Sequence, residues 1–179
     1  MSSLQSIAAA LGVVAATIML TAVFAQSAQP INKVEAVSHQ VYGPAQKHEL
    51  INDAGIPGGK AVRVTVTDAA ADPWKAGLNS IINAPLAKGD SINSVVMLRI
   101  APDSKAKHGT VKVLFQLTDA PYTEFAASQA PVTREWTPFK FKGKVPQELA
   151  PGKSRVALQL GYGKQIIDVG PILVVRGSN

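Results

Sequence analysis

Along most of this chain apolar and polar residues alternate at every second position. Val62, Val64 and Val66 alternate with Arg63, Thr65 and Thr67. Val111, Val113, Phe115 and Leu117 alternate with Lys112, Leu114, Gln116 and Thr118, and Val156, Leu158 and Leu160 with Arg155, Ala157 and Gln159. Successive side chains of a strand point to opposite faces, so a period of two marks strands with one buried face. β-Branched and aromatic content adds strands over 34–41, 78–83, 91–100, 136–142 and 166–176. Glycine- and proline-rich turns separate these segments, as at Gly55-Ile56-Pro57-Gly58-Gly59 and Lys107-His108-Gly109. Beyond the leader no helical period appears. Short strands without a crossover helix imply an all-β fold, an antiparallel two-sheet β-sandwich. Pro171 lacks a ladder donor, so the last strand is expected to bend or to lie partly at an edge.

The first 32 residues carry no Asp, Glu, Lys or Arg, and residues 7–24 are almost wholly apolar. Small residues at Val23 and Ala25 suit a signal peptidase, so residues 1–25 read as a signal peptide. A retained membrane anchor and a buried core helix are the alternatives. Either of the first two exports the body, to the periplasm, the cell surface or the medium. Residues 26–33 read as a flexible lead-in and 34–179 as one domain. A body of about 150 residues can bury roughly two-thirds of its unfolded surface, so it needs no metal or disulfide to fold. The chain has no cysteine, which excludes a disulfide framework.

Familiar catalytic patterns are missing. His39, His48 and His108 are far apart and fit no zinc motif, no G-x-S-x-G elbow occurs, and Gly152-Lys153-Ser154 lacks the earlier glycine of a phosphate loop. Asp168, inside an apolar strand, is the acid that reads as half-buried. It is expected either to accept structural hydrogen bonds or to hold a structural calcium with Glu49 and Asp53. No cofactor is otherwise required. The net charge of +6 is uneven: residues 101–179 hold eleven Lys/Arg against six Asp/Glu. Lys140, Lys142 and Lys144 share one strand face. They read either as a contact for an anionic partner or as a solvated face that discourages edge pairing, and the second reading is preferred. No aromatic interleaves with them, so nucleic acid is not an expected partner.

The order Pro73-Trp74-Lys75-Ala76-Gly77-Leu78, Leu86-Ala87-Lys88-Gly89-Asp90, Leu98-Arg99-Ile100, Phe115-Gln116-Leu117, Arg134-Glu135-Trp136 and Leu158-Gln159-Leu160-Gly161, closing on a strand with Asp168, resembles the jelly-roll carbohydrate-binding modules of bacterial xylanases and cellulases, within the galactose-binding-like folds. The resemblance spans about residues 34–176 and implies a jelly roll, a glycan cleft across one sheet and often a structural calcium. Sugar rings offer apolar faces to aromatics and hydroxyls to polar side chains. Arg63, Arg99, Gln116 and Gln159 lie on the polar side of their strands, Trp74 and Trp136 suit stacking, and Tyr122 and Tyr162 flank turns. The expected function is therefore non-catalytic binding of a polysaccharide or oligosaccharide through a polar and aromatic sheet face that includes Tyr122. An envelope-structural or protein-interaction sandwich is the alternative, and a glycoside hydrolase a further one. A membrane partner is expected only if the leader is retained.

Overall fold

The computed structural model describes residues 29–68 and 72–177, so the leader lies outside the described residues. Ten strands form two antiparallel five-stranded sheets, with no α-helix among the described residues. In chain order the strands are β1 (Gln40–Tyr42), β2 (Gln46–Asn52), β3 (Lys60–Val66), β4 (Gly77–Ile82), β5 (Ser91–Ile100), β6 (Gly109–Leu117), β7 (Glu124–Val132), β8 (Thr137–Lys144), β9 (Ser154–Gln159) and β10 (Ile166–Arg176). The first sheet runs β2-β3-β10-β5-β8 and the second β1-β4-β9-β6-β7. Neighbours in each sheet are mostly distant in sequence, the jelly-roll arrangement expected above.

Alternation explains the core. Val62, Val64, Ile92, Val96 and Leu98 from the first sheet meet Leu78, Val111, Val113, Phe115, Val156 and Leu158 from the second. Phe115 stacks on Phe141 at 4.8 Å, joining the two sheets. Every such residue has neighbours in sequence that point to the opposite, outward face. The outward rows therefore decide what each sheet can contact.

Three expectations change. Residues 34–41 do not form one strand: a short 3-10 turn, Ala36–Ser38, leads into the three-residue β1. Strands β2 and β7 were not anticipated. Both are sheet edges with mainly exposed residues, so neither buries enough to imprint a period of two. The lead-in is tied down from Pro30 onward. Pro30 bridges Val175, Asn32 bridges Ile82, and the Ile31 N–H donates to Val174 O at 2.9 Å. Residues 26–28 lie outside the described residues.

This N-terminal segment takes over beside β10 where β3 ends. Strand β10 pairs with β3 through Ile166–Val169, and its register with β5 then slips between Val169 and Ile172. Pro171 sits in that slip, so the bend is real, but the strand is central rather than an edge.

Candidate functional site

The outward face of the second sheet carries a cleft of about 610 Å³ lined by Tyr42, Trp74, Asn79, Gln116, Pro121, Tyr122, Glu124, Arg155 and Gln159. Strand register builds it. One row across the sheet reads Tyr42, Gly77, Gln159, Lys112, Gln129. The next reads Gln40, Asn79, Ala157, Leu114, Ala127, and a third Ile81, Arg155, Gln116, Glu124. Small residues at the centre leave room above the floor. Gly77 is required there, because a Cβ would overlap the ring of Tyr42, which lies over it.

Two half-exposed rings stand at opposite ends of the strands. Trp74 belongs to the 3-10 turn Pro73–Lys75 just before β4, and 51% of its surface is accessible. The turn is fixed by hydrogen bonds from Gly161 N–H to Pro73 O at 3.0 Å and from Ala45 N–H to Lys75 O at 3.0 Å. Tyr122 lies in the β6–β7 connection and is 50% exposed. Its φ of +58° is in the left-handed region, which costs a non-glycine residue on the order of 1 kcal/mol. Tyr122 N–H donates to Asp119 O at 2.8 Å and its carbonyl accepts Gln116 Nε2 at 2.8 Å, so the turn that carries the ring is fixed. From Lys112 to Gln116 along β6 is about 13 Å at the usual strand rise.

The floor between the rings is polar and partly locked. Arg155 Nε and Nη2 donate to Gln116 Oε1 at 3.1 and 2.8 Å, and the guanidinium carbon lies 5.3 Å from the centre of the Tyr122 ring. Lys112 Nζ donates to both oxygens of Glu124, at 2.9 and 2.7 Å. Burial pushes the Tyr42 hydroxyl above its ordinary pKa, with Arg155 opposing the shift. Asn79 is 5% exposed, and its Oδ1 is sealed without a hydrogen-bond donor.

Thus the structure brings Trp74, Gln116, Gln159 and Tyr122 together and leaves the other expected residues elsewhere. Arg63, Arg99 and Trp136 lie on the outward face of the first sheet, on the opposite side of the sandwich. There Asp168 pairs in register with both Arg63 and Arg99. Arg63 Nε and Nη2 donate to its two oxygens at 2.7 and 3.0 Å, and Arg99 Nε donates to Oδ2 at 2.9 Å. Arg99 Nη2 also meets Asp53 Oδ2 at 2.7 Å, Trp136 Nε1 donates to that oxygen at 3.2 Å, and the Trp136 ring stacks on Arg99 at 4.6 Å. Trp136 therefore packs against the Arg99–Asp53 ion pair.

The same network surrounds the acids that were expected to hold a calcium. Asp168 is fully buried, and guanidinium groups take both its oxygens. Asp53 faces Arg99, and Glu49 stands opposite Arg63 across the β2–β3 pair. Among the described residues no group of three or more His, Cys, Asp or Glu side chains is placed to hold a metal.

Sequence reasoning missed Tyr42, Asn79, Glu124 and Arg155. Arg155 carried a signal, since it shares the parity of Gln159 on β9 and so the same face. Asn79 shares the parity of Gly77. Strand parity assigns a face, but only topology says which sheet that face belongs to.

No protein-family model matches the chain, and no curated protein matches it. Solved structures do. A family 4 carbohydrate-binding module is 17% identical, with 78% of this chain aligned to 86% of that one at a TM-score of 0.59. A family 22 xylan-binding domain is 13% identical, with 86% aligned to 98% at a TM-score of 0.59. The fold is that of the jelly-roll carbohydrate-binding modules. The same jelly roll occurs in a Clostridium thermocellum endo-1,4-beta-D-xylanase fragment solved with xylohexaose, 14% identical at a TM-score of 0.60. Here 85% of the chain aligns to only 29% of the xylanase fragment.

Proposed function

We propose that this domain binds a polysaccharide or oligosaccharide in the cleft of the second sheet and catalyses no reaction on it. The observation that carries the reading is the pairing of two exposed rings, Trp74 and Tyr122, at opposite ends of a polar floor. Rings of this kind cover the apolar faces of pyranoses, while Gln159 and Arg155 meet hydroxyls between them. The fold shared with carbohydrate-binding modules supports the same reading by analogy. A glycosidase needs two carboxyl groups flanking the bond. Glu124 is the carboxylate that lines this cleft, and Lys112 occupies both its oxygens, which argues for binding alone. The apolar leader supports export, with the body in the periplasm, at the surface or in the medium.

Affinity-gel retardation on neutral and acidic polysaccharides tests this. Wild-type protein is expected to be retarded by at least one. Trp74→Ala and Tyr122→Ala should each weaken binding by about 0.5–1.5 kcal/mol, or more where ring burial is lost as well. Retardation by no polysaccharide, with recovery of a specific protein partner, would favour an interaction module instead. Cleavage of the retained glycan would show an enzyme.

A further inference from the structure

Arg155 is set apart from the other arginines by what surrounds its charge. Arg63, Arg99 and Arg176 each meet an aspartate, and Arg134 donates to the carbonyls of Pro102, Ser104 and Ala106. Arg155 donates to one neutral oxygen, the amide Oε1 of Gln116, and no carboxylate among the described residues lies within salt-bridge distance of it. Its charge sits uncompensated in the wall of a cleft. It is also held rigidly. Nε and one side of Nη2 are taken by Gln116, the plane lies over Tyr122, and Gln116 is anchored in turn to the Tyr122 carbonyl.

That geometry leaves one edge of the guanidinium, made by Nη1 and the outer hydrogen of Nη2, with no hydrogen-bond partner among the described residues. Two parallel N–H groups on a planar cation match the two oxygens of a carboxylate. The nearest acid in the cleft does not compete, because Lys112 holds both oxygens of Glu124. With Lys112, Glu124 and Arg155 together the cleft keeps one net positive charge.

We propose that the cleft selects an acidic glycan and that Arg155 reads the carboxylate of a uronic acid residue in it. The inference rests on the glycan-binding reading above and specifies its ligand class. It also separates anion recognition from Lys140, Lys142 and Lys144, which are exposed on β8 at the edge of the other sheet.

Titration calorimetry with polygalacturonate and glucuronoxylan, each compared with its carboxyl-reduced form, is the test. Wild-type protein is expected to bind one uronate polymer roughly 10–100-fold tighter than its reduced counterpart, as a charge-assisted contact requires. Arg155→Gln should bring the two forms within a few-fold of each other, with Arg155→Lys between. Replacing Lys140, Lys142 and Lys144 with Gln should leave the preference intact. Thermal melts confirm that each variant is folded. The inference is overturned if the reduced polymer binds as tightly as the acidic one, with glycan binding itself still standing. It is equally overturned if the preference survives in Arg155→Gln or vanishes with the lysines. Tighter binding of dextran sulfate than of either uronate polymer would assign the site to sulfate esters instead. If wild-type protein binds no polysaccharide, acidic or neutral, the glycan reading falls and this inference with it.

Discussion

Asp168 shows how strongly a side chain's role depends on what stands opposite it. A fully buried carboxylate is costly to desolvate, and here Arg63 and Arg99 offset that cost from both neighbouring strands. Its hydrogen bonds are also the main reason the Arg63 guanidinium is held above its ordinary pKa. Asp168→Ala leaves Arg63 and Arg99 with only their outer partners, Asp103 and Asp53, and is expected to lower unfolding free energy by about 1–3 kcal/mol, read by urea denaturation. Arg99→Ala should also destabilise the fold, yet leave glycan affinity unchanged at a temperature where it is folded. Loss of affinity without loss of stability would place Arg99 in the binding site after all. The sequence made Arg99 and Gln159 look equivalent, since both are polar residues alternating with core positions. Gln159 proved to face the cleft and Arg99 the opposite side, because sequence parity does not reveal which of two sheets a strand joins.

At the scale of elements, seven of the ten strands were legible, because each sets a row of Val, Ile, Leu or Phe against the core. The edge strands β2 and β7 were not, and the N-terminal segment was misjudged for a related reason. One polar side chain reinforces the backbone bonds that attach it. Asn32 Nδ2 donates to Ser80 Oγ at 2.8 Å and Ile172 O at 2.7 Å, while Oδ1 accepts Val174 N–H at 2.9 Å. Asn32 thus joins β4 of one sheet to β10 of the other. No hydrophobic pattern announces such a strap. Asn32→Ala would leave the Val174 N–H and Ile172 carbonyl without these partners inside the protein. An unsatisfied buried group costs about 1–3 kcal/mol, so a loss of at least that size is expected in chemical denaturation. A change near zero would show that water replaces the amide.

For the molecule as a whole, two titrations make stability fall on the acid side. His39 lies beneath the first sheet's bend, where its Nε2 meets Gly170 O at 3.0 Å, and burial pulls its pKa below the ordinary 6.5. The unfolded chain then takes up a proton that the folded protein refuses, so stability present above pH 6.5 declines as pH falls below it. Asp53 adds a second window. Its carboxyl is held below 3.8, first by the Gly55 N–H and then by Trp136 and Arg99, and that contribution fades as pH drops through the folded value. Melting temperature should thus decline in two stages between pH 7.5 and 3. His39→Gln should flatten the upper stage and Asp53→Asn the lower. If His39→Gln keeps the upper stage, another histidine governs it.

Pro30 lies opposite Val175, and the Gly177 N–H donates to Ser91 O at 2.7 Å. Both ends of the described chain therefore leave from the first sheet, while the cleft opens on the outer face of the second. A tether at either end holds the molecule from behind and leaves the cleft turned outward. If the cleft binds a polymer as proposed, two copies joined through those ends by a flexible linker would grip it together, the second at an effective concentration on the order of millimolar. A weak grip per copy would then become strong adhesion to long chains and stay readily reversible on short ones.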